Sequence, residues 1–325
     1  MKKMIAAALG AALAVSGLAA CSPEDVTSDG ESPSTGGGGR VTLVAKANAS
    51  EYWSKVKEGA MAAGKELGVE VVFNGPDTES EGDKQLNQLE SAINDKPIGI
   101  GFAPQDGAQD GAPRLLENAK AAEIPVIIFD TPLGGSDVPL TTIASDNAGM
   151  GAEAAEKLAE AAGGKGKVAI IAHGEVGTAG ERRDGFRDWL TENAPDMEVV
   201  DVQNGESDPA KSRDKAQGIL QAHPDLVGFF GTDDDSVIAI ADEVAAKSMK
   251  TTVIGIDASP DVLTLLEESK IFGVVVQNPF GMGYKTVEML VDASKGTMPA
   301  ETNIVSESVW VTPENMNDAD VQEIL

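Results

Sequence analysis

One pattern constrains this chain more than any other: short apolar runs alternate with amphipathic stretches from Val41 almost to the end. The runs are VTLVAKA from Val41, VEVVFNG from Val69, IGIGFAP from Ile98, PVIIFD from Pro125 and TTIASDN from Thr141. They continue with KVAIIAHG from Lys167, MEVVDVQ from Met197, LVGFFGTD from Leu226, TTVIGIDA from Thr251 and FGVVVQNP from Phe272. Helical patterns rich in Ala, Glu, Lys and Leu, such as SKVKEGAMAAGKELG, lie between most of them. Strands that read as continuous apolar runs and alternate with helices belong to parallel sheets covered on both faces. There are too many runs for one sheet of a usual domain, so the expected fold class is α/β with two doubly wound parallel-sheet lobes.

The first crossing between lobes is expected near Ser145, where ASDNAGMG leads into an alanine-rich helix. A second is expected near Asn278-Pro279, because a proline after an apolar strand favours an extended connection. The tail from Ile304, IVSESVWVTPENM, alternates like a strand and can close the second lobe. Residues 41–145 plus 278–306 then make the N-terminal lobe, and 146–277 plus 307–325 the C-terminal lobe, joined by a multi-strand hinge.

The opening residues, MKKMIAAALGAALAVSGLAAC, place Lys2 and Lys3, an apolar run and a small-residue segment in the order of an export signal over residues 1–20. The segment resembles a bacterial lipoprotein signal, which implies cleavage before Cys21 and a lipid on that cysteine. It is the one cysteine of the chain, so no internal disulfide can form and the fold must rest on its core. Residues 21–40 carry almost no large apolar side chain and run into four glycines, the composition of a flexible tether. The net charge of -28 opposes binding to nucleic acid or to an anionic membrane surface. Downstream of Cys21 no apolar run approaches spanning length, so membrane attachment through lipid alone is expected, outside the cytoplasm.

Ligands of open α/β sheets bind at the carboxyl ends of the strands. The first such end lies in Val41–Trp53, VTLVAKANASEYW. Aromatic residues are only 4% of the chain (Phe 8, Trp 3, Tyr 2), yet Tyr52 and Trp53 stand side by side. Neighbours on a helix do not share a face, so at least one ring is expected in the crevice, where a flat ring suits the apolar face of a sugar. Other strand ends supply Asp130, Asp233 to Asp235, Asp257 and Gln277, and Arg182 and Arg183 open the helix after IIAHGEVGTAG. Any single Asp here can equally be a helix N-cap, and Asp234 and Asp235 are good cap candidates. As a set, carboxylates, guanidinium and amide offer the planar forked groups that pair with vicinal hydroxyls.

With IPVIIFD, IASDN, GERRDGF, AHPDLVGFFGTDD, TVIGIDASPD and VVVQNPFGMG in this order, the chain resembles the periplasmic sugar-binding proteins of type I, above all their ribose-binding branch, from Val41 to about Pro313. The resemblance implies stacking by Tyr52 and Trp53 and hydrogen bonds to hydroxyls from Asp130, Arg182, Asp233, Asp257 and Gln277. It makes Ser145 a contact or hinge residue. Ser50, which stands where ribose binders carry asparagine, joins the expected ligand contacts. Ala103, Thr131, Ser207 and Asp233 also depart from the ribose pattern, so another pentose, a hexose or a polyol is as good a candidate. No calcium loop of the galactose type is evident, and neither metal nor cofactor is expected.

The mechanism implied is capture by closure of the lobes, with delivery by a monomer to an ABC permease and its ATPase. The alternative is a sensory receptor subunit for a sugar or furanosyl signal. An enzyme is disfavoured. The chain has two histidines, His173 and His223, and no nucleophile elbow, P-loop or dinucleotide fingerprint follows a strand, which leaves only Asp130 with Asp257 for acid–base work.

Overall fold

A computed structural model describes residues 38–48 and 50–325. The export signal, Cys21 and the tether as far as Gly37 lie outside the described residues.

The first lobe opens with β1 (Arg40–Val44), α1 (Glu51–Leu67), β2 (Glu70–Asn74), α2 (Gly82–Asn94), β3 (Gly99–Phe102), α3 (Ala112–Ala121), β4 (Val126–Phe129) and β5 (Thr142–Ser145). The second follows with α4 (Asn147–Ala162), β6 (Gly166–Ala172), α5 (Thr178–Asn193), β7 (Met197–Asn204), α6 (Pro209–Ala222) and β8 (Leu226–Gly231). It continues through α7 (Asp234–Ala246), β9 (Thr252–Ile256), α8 (Pro260–Glu267) and β10 (Gly273–Gln277). The chain then returns with α9 (Pro279–Ser294) and β11 (Asn303–Ser306), and ends in β12 (Ser308–Val311) and α10 (Ala319–Gln322). Two six-stranded sheets result, ordered β11-β5-β4-β3-β1-β2 and β12-β10-β9-β8-β6-β7. Every pairing is parallel except β12 against β10.

The apolar runs become strands buried on both faces because successive residues point to opposite sides of a sheet. In β4, Ile127 and Phe129 join the core beneath α1 and α9, while Val126 and Ile128 join the one beneath α2 and α3. In β8, Phe229 and Phe230 divide in the same way between the two cores of the second lobe. Helix starts follow local chemistry. The side chains of Ser50, Asp146, Asp208, Asp233, Ser259 and Asn278 accept from first-turn N–H groups, and Pro209, Pro260 and Pro279 occupy the first helical position.

The chain crosses between the sheets three times, after β5, β10 and β11, and the first two crossings are built alike. Ser145 ends β5, Asp146 caps α4, and Gly149-Met150-Gly151 follows; Gln277 ends β10, Asn278 caps α9, and Gly281-Met282-Gly283 follows at the same spacing. The second glycine of each triplet lies at a close helix approach. A Cβ on Gly151 would collide with the backbone carbonyl of Arg182 in α5, and one on Gly283 with that of Val56 in α1. Each helix that enters a lobe is therefore pressed backbone to backbone against the helix that follows the first strand of that lobe. Those two helices, α1 and α5, carry Tyr52 and Arg182.

Candidate functional site

The carboxyl ends of the two sheets meet in one cleft, and each lobe brings to it a cation paired with an aspartate. In the first lobe Lys46, two residues beyond β1, places Nζ 2.7 Å from Asp130 Oδ2, with both side chains over nine-tenths buried. Asp130 also accepts from the Tyr52 hydroxyl at 2.8 Å and the Thr131 hydroxyl at 2.9 Å. In the second lobe Arg182 Nη1 lies 3.4 Å from Asp257 Oδ2 and donates to the Thr232 carbonyl at 2.8 Å. Gln277 Nε2 donates to Asp257 Oδ1 at 2.6 Å, and Gln277 Oε1 accepts from the Ser145 hydroxyl at 2.8 Å.

The two aspartates occupy equivalent places and share a rare backbone. Each is the residue immediately after the fourth strand of its lobe in chain order, with φ of 68° at Asp130 and 74° at Asp257. Among residues other than glycine, Asp and Asn enter the left-handed region most readily, because a short polar side chain can bond locally.

Electrostatics at the site follow from burial and these pairs. Burial alone would raise the Asp130 carboxyl, but the Lys46 ammonium together with the hydrogen bonds from Tyr52 and Thr131 holds it below its ordinary value. Burial likewise pulls against the Lys46 ammonium, and Asp130 together with Glu79 overcomes it, so Lys46 titrates above its ordinary value. Burial and the facing Asp130 push the Tyr52 phenol well up. His173, immediately after β6, is driven well below its usual value by burial and by the charges of Arg182 and Lys46. It is thus a neutral imidazole, with Nδ1 2.7 Å and Nε2 3.3 Å from the hydroxyls of Thr232 and Thr178. The fields of Lys46 and Arg182 reach each other across the cleft. Beside the hinge lies a cavity of about 260 Å³, lined in part by Tyr52, Asp234, Asp257, Leu263, Gln277 and Pro279. That is just below the range typical of drug-sized ligands, and of the two ion pairs only Asp257 lines it.

The structure gathers Tyr52 with Asp130 in one hydrogen-bonded cluster and Arg182, Asp257, Gln277 and Ser145 in another, and it gives three other expected contacts different surroundings. Trp53 is 1% exposed and packs edge-on against Tyr52, at 5.0 Å, and Phe129, at 6.2 Å. Its indole N–H donates to Glu79 at 2.8 Å, so it forms the floor beneath Tyr52. Ser50 is exposed and caps α1, accepting from the Trp53 N–H at 3.3 Å. Asp233, not Asp234 or Asp235, caps α7, in a reciprocal capping box with Ser236. Burial, opposed by its bonds to Ser236, pushes the Asp233 carboxyl up to about 6.

The sequence offered no site role for Lys46, and His173 entered only as one of two histidines weighed for catalysis. A lysine at the end of an apolar run reads as a solvated side chain, and the signal for Lys46 was its place directly beyond the first strand. Among the described residues no three of His, Cys, Asp and Glu cluster as a metal would require, and no helix is long and apolar enough to cross a membrane.

A family model described as "Periplasmic binding protein domain" matches residues 41–298. The chain belongs to this family. Membership puts its site of action outside the cytoplasm. Among curated relatives of this periplasmic binding protein, the D-allose-binding periplasmic protein of Escherichia coli K12 is 28% identical over 267 residues, 78% of this chain and 84% of the relative. The ribose import binding protein RbsB of Bacillus subtilis 168 is 26% identical over 253 residues, 77% and 80% of the two chains. A carbohydrate transporter solute-binding protein from Agrobacterium radiobacter, solved with D-arabinose, superposes with a TM-score of 0.82 at 28% identity, covering 89% of this chain and 99% of that one. An ABC transporter solute-binding protein from Agrobacterium vitis, solved with D-fucose, gives 0.81 at 28% identity, with 88% and 100% coverage.

The capping aspartate gives a pH test. Asp233 keeps its proton in the folded state up to about pH 6, whereas in the unfolded chain it loses it near pH 4. The folded state then binds more protons across that window, so this group's contribution falls as pH rises from about 4 to 6 and stays unfavourable above. Asparagine caps as well as aspartate. Asp233→Asn should therefore raise the melting temperature of the ligand-free protein at pH 7.5 and leave it nearly unchanged at pH 4. A lower melting temperature for the variant at pH 7.5 would show that the carboxylate stabilises the fold.

Proposed function

We propose that this protein is a lipid-anchored solute-binding protein that, as a monomer, captures a monosaccharide or related polyol between its lobes and delivers it to an ABC-type permease driven by a separate ATPase. One observation carries the reading: each lobe contributes a cation–carboxylate pair with a buried cation, Lys46–Asp130 and Arg182–Asp257, to the same cleft. A hydroxyl both donates and accepts, so a carboxylate beside an ammonium or guanidinium meets both needs of adjacent hydroxyls. The two pairs cancel in charge, as suits an uncharged ligand. Tyr52 adds an aromatic surface at the cavity wall. Relatives named for D-allose and ribose, and structures solved with D-arabinose and D-fucose, support a pentose or hexose.

Capture follows from where the contacts sit. A ligand touching Asp130 in one lobe and Arg182 and Asp257 in the other binds the closed arrangement better than the open one, and that difference drives closure. Nothing in this arrangement requires chemistry on the ligand; the paired charges hold hydroxyls in place. Cys21 carries the lipid in this reading, and Cys21→Ser should move the protein from the membrane fraction to the soluble one; retention in the membrane would refute the anchor.

A thermal-shift screen of pentoses, hexoses and polyols tests the ligand class. A sugar at a hundred times its dissociation constant should stabilise the protein by about 2.7 kcal/mol. Asp257→Asn, which tolerates the same backbone but removes the charge facing Arg182, should abolish the shift. Stabilisation by sugar acids or amino acids alone would overturn the reading.

A further inference from the structure

Arg182 is held from two directions by one helix, and that helix is the continuation of the hinge. Asn147, the first residue of α4, is 3% exposed; its Oδ1 accepts from Arg182 Nε at 2.9 Å, and its Nδ2 donates to the Ser145 carbonyl at 3.2 Å. One turn on, on the same face of α4, Gly151 lies against the backbone carbonyl of Arg182 so closely that no Cβ fits between them. Side chain and backbone of Arg182 are thus both fixed by α4.

The bonds close into a ring. Ser145 Oγ donates to Gln277, Gln277 donates to Asp257, Arg182 donates to Asp257 and to Asn147, and Asn147 donates back to the Ser145 carbonyl. Ser145 and Gln277 are the residues at which the chain leaves β5 and β10, so the ring passes through the first two of the three crossings before it reaches the guanidinium. Nε and Nη1 of Arg182 are spent on the ring and on Thr232. Nη2 takes no hydrogen bond among the described residues and is the nitrogen left for a ligand.

We propose that Asn147 is a positioning residue: it touches no ligand, but it fixes the plane of the Arg182 guanidinium and ties it to the first interlobe crossing, so that Nη2 meets the ligand when the lobes close. The proposal rests on the reading of Arg182 as a ligand contact. It assigns a role to a residue whose own polar atoms are both consumed inside the protein.

The test uses the whole protein and two variants. Asn147→Leu removes acceptor and donor at similar volume, while Asn147→Asp keeps the acceptor for Nε and is favourable in a first helical turn. The Arg182 side-chain Nε–H resonance, identified by its absence in Arg182→Lys, should exchange slowly with solvent in the unmodified protein and in Asn147→Asp, and should be lost to fast exchange in Asn147→Leu. With D-allose, D-ribose and D-arabinose as probes, the affinity of the tightest should fall about tenfold or more in Asn147→Leu, the scale of one lost hydrogen bond to a charged group. In Asn147→Asp it should stay within about threefold, and in an Arg182→Lys background Asn147→Leu should have no further effect. The proposal is overturned if Asn147→Leu keeps a protected Nε–H, if it loses only melting temperature, or if its affinity loss persists in full without Arg182. Failure of the sugar reading looks different: none of the three sugars binds the unmodified protein, and the Nε–H comparison alone then decides whether Asn147 positions Arg182.

Discussion

Two aspartates leave their sheets in the left-handed conformation, and the rest of the site depends on what neutralises them. Asp130 is a buried carboxylate that could not stay charged without a partner, and Asp257, more open at 18% exposed, faces a buried guanidinium. Lys46 is the partner of the one and Arg182 of the other. Replacing such pairs by apolar residues commonly costs a fold nothing, so a buried pair is weak evidence for stability. Retaining two of them face to face, at strand ends, makes sense for a cleft that must exchange water for hydroxyls each time it closes.

Around these pairs the molecule repeats one construction. A strand ends in a polar residue, a capped helix with Gly-Met-Gly in its first turns crosses to the other lobe, and its second glycine lets it seat on the helix bearing Tyr52 or Arg182. Met282 Sδ also accepts from the Tyr52 hydroxyl at 3.5 Å. Hinge and ligand surface are therefore parts of the same packed units, and rotation of a lobe carries its ligand-facing side chain along without an intermediary loop. Packed contacts of this kind have discrete arrangements instead of bending smoothly, which favours two defined states.

Much of this could be read in the sequence, for physical reasons that also explain the gaps. Parallel strands buried on both faces are continuous apolar runs, so the alternation revealed two doubly wound lobes. An Asp at the end of such a run can be located from sequence, but whether it caps a helix or faces a cleft depends on one turn of backbone: Asp130 and Asp257 turn left-handed, whereas Asp233 stays extended and caps α7. The argument that adjacent helical residues face different ways assigned Tyr52 and Trp53 to different surroundings without saying which was which. The indole, larger and with its N–H on Glu79, went inward. The pairings of Lys46 and Asn147 could not be read because their partners lie 84 and 35 residues away by number, at Asp130 and Arg182, and only folding brings them together.

The central claim is that both ion pairs meet a single sugar. A crystal structure of the protein with the sugar that stabilises it most tests this directly. The account requires the ring against Tyr52, with hydroxyls within hydrogen-bond distance of Asp130, Asp257 and the Nη2 atom of Arg182 at once. A sugar bound outside the interlobe cleft, or within it but touching the pair of one lobe only, would contradict it.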